Sequence, residues 1–272
     1  MKLKVFGCRG STAVSRPGSK FGGNTSCITL ESEGEMLILD AGSGLMVLQE
    51  EYFGQGGIRN KDKAVNILIS HLHLDHIVGL GTFSPAWGRD AKARIYTCSR
   101  DERPLDEQVF GVFAPPYWPV TMTSSSNAVV TAIEPYVSFN VGVFRITPFV
   151  AKHPDKTLSF HVTDGKRNVV HLLDSEVTKM EPSEYDGLLK FCSTADVVIF
   201  DACYSQEEYP RYDGWGHSTV EDGIKLAEES NCKKVLFSHY GRHYTDDEID
   251  SWVENLDKNK FLLSYEGMEL EV

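Results

Sequence analysis

Three histidines and one aspartate lie within six residues of one another in the first third of the chain. They are His71, His73, Asp75 and His76, and they follow residues 64–69, an apolar and β-branched run typical of a buried strand. Imidazole nitrogens and carboxylate oxygens are the donors that zinc and similar divalent ions take. A sharp loop could turn the first two histidines toward one ion and the remaining pair toward a second. The pattern therefore predicts a metal site, not a solvated turn that happens to hold three of the nine histidines.

The order His-x-His-x-Asp-His after a strand resembles the ligand loop of the metallo-β-lactamase fold hydrolases. Further family-like segments occur in the family's order over nearly the whole chain, at residues 7–11, 22–27, 40–44, 174–176 and 214–219. The resemblance implies an α/β fold of four layers, the αββα sandwich, in which two mixed β-sheets lie face to face with helices outside. It places the metal ions at one edge of the sheets. We expect residues 1–272 to form a single hydrolase domain of this kind.

The resemblance also implies a ligand set for two metal ions. Two triads and one bridging carboxylate are expected: His71, His73 and His153; Asp75, His76 and His239; and Asp174. A carboxylate suits the bridging position because its two oxygens can serve both cations. Taken alone, Asp174 could instead cap the helix that follows it, and His153 could be a structural histidine. Zn²⁺ is the expected metal, and Mn²⁺ or Fe²⁺ would also accept these nitrogen and oxygen donors.

A second pairing of histidine and acid lies further along the chain. Asp201 ends the apolar run 197–200, and His217 belongs to the segment Gly-Trp-Gly-His-Ser-Thr. In phosphodiesterases of the fold, including the tRNA 3′-processing endonucleases, an acidic residue after a strand pairs with such a histidine, which works on the leaving group. The tRNA enzymes carry Glu in a His-Glu-Ala-Thr segment, so Asp201 argues against that branch. The resemblance implies Asp75, Asp201 and His217 as catalytic residues, although His217 could also serve only to cap the helix after it.

Substrate contacts are expected from two kinds of segment. Arg9 and Asn24 lie in the loops Gly-Cys-Arg-Gly-Ser and Gly-Gly-Asn-Thr-Ser-Cys, which face the metal cleft in the family. Turn chemistry is the alternative explanation for both loops. Tyr117 and Trp118 lie in the irregular, aromatic and proline-containing stretch 100–127, which follows the metal loop. Aromatic faces can stack on a base, but these rings could equally pack on the core.

The expected activity is hydrolysis of a phosphodiester. Two cations about 3.5 to 4 Å apart lower the pKa of a shared water and hold the resulting hydroxide for attack. The small-molecule substrate would be a cyclic nucleotide or another cyclic phosphate, because 39 acidic against 27 basic residues give a net charge of −12 that disfavours nucleic acid. Two alternatives stay open: a tRNA 3′-processing endonuclease, and a nucleotide or ligand sensor that uses the fold without catalysis. A sensor would predict lost ligands, and every ligand is present.

The remaining sequence features concern location and assembly. The six cysteines are scattered without a C-x-x-C pair, which argues against a zinc ribbon or a disulfide framework and favours a reducing cytoplasm. The chain starts with Met-Lys-Leu-Lys-Val-Phe-Gly, which lacks a signal-peptide core, and no segment has the length and apolarity of a membrane span. From analogy with the fold alone we expect a homodimer.

Overall fold

Two seven-stranded β-sheets form the frame of the computed structural model, which describes residues 1–55, 57, 64–88, 92–125 and 127–272. In chain order the strands are Lys2–Gly7 (β1), Cys27–Ser32 (β2), Glu35–Leu39 (β3), Val65–Leu68 (β4), Ala93–Thr97 (β5), Val129–Ala132 (β6), Phe139–Val141 (β7), Phe144–Val150 (β8), Leu158–Thr163 (β9), Asn168–Leu172 (β10), Val197–Asp201 (β11), Val235–Ser238 (β12), Phe261–Leu263 (β13) and Glu269–Glu271 (β14). The first sheet has the order β14-β1-β2-β3-β4-β5-β6, and the second has the order β13-β12-β11-β10-β9-β8-β7.

Parallel strands at the centre of each sheet determine where the site lies. In the first sheet β3 is parallel to β4, with Leu37 opposite Asn66 and Leu39 opposite Leu68. In the second sheet β10, β11 and β12 run parallel, and β8 shares their direction because β9 is antiparallel to both β8 and β10. The carboxyl ends of parallel strands meet at one edge of a sheet. The residues that follow β3, β4, β8, β10, β11 and β12 therefore gather at one edge of the sandwich.

Helices cover the outer faces of the two sheets. In the described parts of the chain they are Gly44–Phe53 (α1), Leu74–Ile77 (α2), Leu105–Phe110 (α3), Met122–Ser125 (α4), Pro182–Cys192 (α5), Val220–Ser230 (α6) and Asp246–Ser251 (α7). Leu45 and Leu48 of α1 join Ile38 and Ile67 in an apolar cluster on one face of the first sheet. A second cluster includes residues of both sheets and continues to α5 and α6. Each sheet thus buries one face against helices and the other against its partner sheet.

The αββα architecture implied by the resemblance is confirmed. The stretch 100–127, predicted as an irregular aromatic loop, differs in part because it contains α3 and α4. Both helices are short, and α3 lies between Pro104 and Gly111, so neither shows a helical period in the sequence. No helix in the described part of the chain is long and apolar enough to cross a membrane.

Candidate metal centre

The first triad consists of His71, His73 and His153. Two of them lie in the loop after β4, and His153 lies in the loop after β8. One ligand atom from each residue lies within 4.8 Å of the others. The ring centroids of the three imidazoles are 4.4 to 5.0 Å apart. His71 is buried and His73 is exposed, so this triad opens toward solvent.

The second triad consists of Asp75, His76 and His239. The first two belong to the short helix α2, and His239 directly follows β12. Asp75 Oδ2 lies 3.3 Å from His76 Nε2 and 3.4 Å from His239 Nε2, and the two Nε2 atoms are 3.3 Å apart. All three residues are buried. Three donor atoms, two from α2 and one from the residue after β12, thus converge on one point.

Asp174, which lies just after β10, faces both triads. Its Oδ1 lies 3.8 Å from His71 Nε2 and 4.0 Å from His153 Nε2. Its Oδ2 lies 3.1 Å from His76 Nε2 and 3.3 Å from His239 Nε2. One carboxylate oxygen is therefore turned toward each triad, as a bridging carboxylate requires.

Neighbouring oxygen atoms hold the Nδ1 atoms of two of these histidines. His76 Nδ1 lies 2.8 Å from Asp40 Oδ2, and His71 Nδ1 lies 3.1 Å from Ser70 Oγ. The Ser70 N–H donates to Asp40 Oδ1 at 2.8 Å, which fixes the carboxylate in turn. When the His76 Nδ1–H donates to Asp40, its Nε2 keeps a lone pair for a cation. These contacts orient both rings toward Asp174 without help from a ligand.

Left-handed backbone conformations recur around the two triads. The φ angle is +58° at Asp40, +51° at Asp174 and +66° at His239, each at a point where the chain has just left a strand. Ser11 also has a positive φ, +59°, and its N–H donates to Asp75 Oδ2 at 2.8 Å. Such conformations are unfavourable for residues other than glycine and cluster at functional sites. Here they turn side chains and one N–H group into the site.

The charges and unpaired atoms of the site fit divalent cations. Among the described residues, the ion pairs of Asp75 and Asp174 are made with histidines alone. Burial would raise the pKa of Asp174, but the charges of His239, His76 and His71 hold it well below its ordinary value. His71 Nε2 is buried and has no hydrogen-bond partner in the described part of the chain. Buried carboxylate oxygens among imidazole nitrogens are a donor set for zinc and related ions.

His217 and Asp201 form a pair beside Asp174. Asp201 is the last residue of β11, and His217 lies three residues before α6. His217 Nδ1 lies 2.9 Å from Asp201 Oδ2 and 3.8 Å from Asp174 Oδ1. Burial would lower the pKa of His217, but the Asp201 carboxylate raises it to about 9. The structure thus brings together the histidine and the acid predicted as a catalytic pair, and their catalytic roles stay a prediction.

Two of the four residues predicted to contact the substrate form hydrogen bonds within the protein. Arg9 is fully buried, and its guanidinium donates to the carbonyl of Gly22 at 3.0 Å and to that of Tyr244 at 3.3 Å. Asn24 Nδ2 donates to Glu266 Oε2 at 3.1 Å. Both side chains hold loops of the protein itself, so the structure gives them a structural role. The substrate contacts predicted for them stay predictions.

Tyr117 and Trp118, the other two residues predicted to contact the substrate, differ in their exposure to solvent. Tyr117 is 80% exposed. Trp118 is half-buried and packs edge-to-face on Phe113, with ring centroids 5.5 Å apart. Its indole also lies over Gly81, where an added Cβ would be 2.9 Å from Cη2. Trp118 thus packs on the segment that follows α2, and the substrate contacts of both rings stay predictions.

No role is predicted from the sequence for Glu176 or for Trp215, the aromatic residue between two glycines near His217. Glu176 is buried, and it accepts hydrogen bonds from the N–H groups of Gly214 at 2.8 Å and Gly216 at 2.9 Å. These bonds fix the segment that leads to His217. The sequence signal for such a constrained segment is the pair of glycines on either side of Trp215.

Comparison with known proteins gives relatives over most of the chain. The probable metallo-hydrolase YhfI of Bacillus subtilis is 25% identical over 241 residues, which is 88% of this chain and 86% of that protein. A Ribonuclease Z of Bradyrhizobium diazoefficiens is 20% identical over 280 residues, which is 83% of this chain and 87% of that protein. A crystal structure of a diphosphatase from the PhnP family has a TM-score of 0.73 at 15% identity, with 100% of this chain and 97% of that chain covered. That structural likeness shows the fold alone.

A match to a family model identifies the protein family of this chain. The model of the beta-lactamase superfamily domain matches residues 36–240. This match runs from β3 to the residue after His239, so it contains both triads, Asp174, and the pair His217 and Asp201. The matched length is most of the chain, and the chain belongs to the beta-lactamase superfamily.

Proposed function

We propose that this metal-dependent hydrolase is a phosphodiesterase that uses two divalent cations to cleave a small cyclic nucleotide or cyclic phosphate. The observation that carries the proposal is the position of Asp174, with one oxygen toward each triad. The pairing of His217 with Asp201 beside the same carboxylate supports a phosphodiester substrate, because an alkoxide leaving group needs a proton.

Each triad would hold one cation, and Asp174 would be shared between them. Bound there, divalent cations supply positive charge that lowers the pKa of water and stabilises the negative charge developing on phosphoryl oxygens. Zinc is the ion that we expect, because imidazole nitrogens dominate both triads, and Mn²⁺ or Fe²⁺ would accept the same donors. Asp75 belongs to the catalytic set as the carboxylate of the second triad.

The chain's own residues supply the proton and its orientation. His217 Nδ1–H donates to Asp201, so Nε2 is left to hold the proton that the leaving oxygen takes. Asp201 Oδ1 accepts the N–H of Cys203 at 3.0 Å, which keeps the carboxylate in one orientation. Asp201 therefore acts through His217 as a positioning residue, while His217 is the group that would touch the substrate.

Processing of tRNA 3′ ends is the second candidate function, because proteins named Ribonuclease Z are among the relatives. Two observations favour the small substrate over RNA. The net charge of −12 gives the protein as a whole the wrong sign for a phosphate backbone. The acid that pairs with His217 is Asp201, where the tRNA enzymes carry a glutamate in their own motif.

Hydrolysis of bis(p-nitrophenyl) phosphate by the zinc-loaded protein tests the proposal. We expect metal-dependent release of p-nitrophenol that is abolished by a chelator and by Asp75→Ala. General acid catalysis contributes about 10²- to 10⁴-fold. His217→Ala should therefore lower kcat for a cyclic nucleotide, whose leaving group is an alkoxide, by at least about 100-fold while the protein keeps its full metal content. Hydrolysis of bis(p-nitrophenyl) phosphate should fall much less, because p-nitrophenolate leaves without a proton.

A matched control is His161→Ala, because His161 lies on β9 and its ring bonds to Thr194 instead of the site. This variant should keep both metal content and turnover. Loss of metal in His217→Ala would instead make His217 a ligand or a structural residue. If wild-type protein binds two ions per chain and hydrolyses no phosphodiester, the proposal fails, and the ligand sensor becomes the better explanation.

A further inference from the structure

An exposed indole lies on the segment that leads into His217. Trp215 is 59% exposed, whereas the other three tryptophans, Trp87, Trp118 and Trp252, are half-buried. Trp215 and His217 are two residues apart, so their Cα atoms are separated by at most about 7.6 Å. The backbone of Trp215 therefore lies close to the candidate metal centre.

A buried carboxylate fixes the backbone on both sides of this tryptophan. Glu176 Oε1 accepts the N–H of Gly214 at 2.8 Å, and Oε2 accepts the N–H of Gly216 at 2.9 Å. Tyr209 also donates its hydroxyl to Oε1 at 2.6 Å. Both glycines have left-handed φ angles, +84° and +91°, that other residues rarely adopt. The indole is thus exposed on a backbone segment that hydrogen bonds hold in place.

The same segment lies directly against the first triad. A Cβ added at Gly216 would lie 2.1 Å from Cδ2 of His153, so only glycine allows this close approach. The ring of His217 also lies beside His153, with centroids 5.8 Å apart, so the segment that carries Trp215 runs along the first triad.

Ring contacts connect Trp215 with His217. The Trp215 ring contacts Tyr212 edge-to-face, with centroids 5.4 Å apart. Tyr212 stacks on Tyr204 with centroids 4.0 Å apart and ring planes inclined by 4°, and Tyr204 contacts the ring of His217 at 5.7 Å. Tyr212, which is itself stacked on Tyr204, thus supports the indole from one side, and the rest of the indole surface is exposed.

We infer that Trp215 stacks on the base of a nucleotide substrate whose phosphodiester lies at the triads and His217. This inference rests on the proposed function and narrows it to nucleotides, because a base-free cyclic phosphate would leave the indole unused. A base that stacks on one aromatic side chain gains about 5- to 100-fold in affinity. Trp215 is therefore a specificity-determining residue that distinguishes nucleotides from sugar phosphates.

Equilibrium binding to the zinc-loaded, full-length protein tests this inference without requiring turnover. The probes are AMP and ribose 5-phosphate, which share a phosphorylated ribose and differ in the base. We expect calorimetry to show that AMP binds about 5- to 100-fold more tightly and that Trp215→Ala removes this difference. Trp215→Phe should keep most of it, because a benzene ring also stacks. AMP should quench tryptophan fluorescence in the wild type and in the control variant Trp252→Phe, but much less in Trp215→Phe.

Equal affinities for AMP and ribose 5-phosphate, no binding of AMP, or equal weakening of both ligands by Trp215→Ala would each overturn the inference. The proposed function fails in a different way. A protein that binds AMP through Trp215 but hydrolyses no phosphodiester would contradict the activity and leave the stacking contact in place.

Discussion

At the scale of single residues, Asp40 shows that the candidate metal centre also depends on residues that orient the histidines without binding a metal ion themselves. Asp40 is fully buried and accepts hydrogen bonds from Ser70 N–H and from His76 Nδ1. Burial would raise the pKa of Asp40, but the neighbouring His76 holds it below its ordinary value. The carboxylate therefore stays ionised and keeps His76 Nε2 turned toward Asp174.

Asp40→Asn should weaken metal binding without unfolding the protein. Loss of a carboxylate that orients a ligating histidine lowers metal affinity by about 10- to 100-fold. Competition with a zinc-binding dye measures the affinity, and circular dichroism checks the fold. Asp250→Asn is the control, because Asp250 makes a surface ion pair with Lys20. Equal zinc affinities of Asp40→Asn and wild type would contradict the assigned role.

How far the site could be predicted differs from residue to residue. The cluster from His71 to His76 is visible in sequence because its members are close together in the chain. His153, Asp174 and His239 required the family resemblance, since only the sheet topology brings them to the cluster. The burial of Arg9 was not predictable, because one of its partners, the Tyr244 carbonyl, is 235 residues away.

At the scale of elements, strands and helices were easiest to predict where the residues at their ends have a recognisable pattern. The apolar runs before His71, before Asp201 and before His239 are the strands β4, β11 and β12. The sequence Thr-Asp-Asp-Glu at residues 245–248 has the pattern of a capping box, and α7 begins there. The stretch 100–127 was harder, because short helices such as α3 have too few turns to show a period.

Thr245→Ala should destabilise the protein through α7 alone. Thr245 Oγ1 accepts the N–H of Glu248, and the Glu248 carboxylate accepts the N–H of Thr245 at 2.7 Å. Removing such a cap costs about 1 kcal/mol of the free energy of unfolding. Urea unfolding measures this loss, and Thr245→Ser should keep most of the stability because it keeps the hydroxyl. A loss of the same size in both variants would show that the hydroxyl is not what matters.

At the scale of the whole molecule, the two sheets meet at the site. The ligand loop His71 to His76 follows a strand of the first sheet, whereas His153, Asp174 and His239 follow strands of the second. Metal binding would therefore join the two sheets at their common edge. The single domain and the homodimer stay predictions, and light scattering on the purified protein would test the second.

Away from this edge, the stability of the molecule should depend on pH through Asp196. Burial would raise the pKa of Asp196, but hydrogen bonds from Lys233 and from the Asn168 N–H hold it below its ordinary value. A lowered carboxyl pKa stabilises the fold above the unfolded pKa of about 3.9, and this contribution is lost as the pH falls below that value. Asp196→Asn should therefore be less stable than wild type at pH 7.

Urea unfolding at pH 7, 5 and 3.5 checks this expectation. The difference between Asp196→Asn and wild type should be similar at pH 7 and 5 and smaller at pH 3.5. Asp186→Asn, which changes an exposed aspartate on α5, should alter the stability little at each pH. A difference for Asp196→Asn that stays constant down to pH 3.5 would rule out the ionised carboxylate as its cause.

The left-handed conformations of Asp40, Asp174 and His239 imply a trade-off between the stability of the protein and its activity. Each such conformation costs a residue other than glycine about 1–2 kcal/mol, and the rest of the fold must offset that cost. Glycine would relax the backbone at all three positions, but it has no side chain to bind a metal ion or to orient His76. Replacement by glycine would therefore remove the backbone strain together with the site, whereas a protein that keeps the activity must keep the strain.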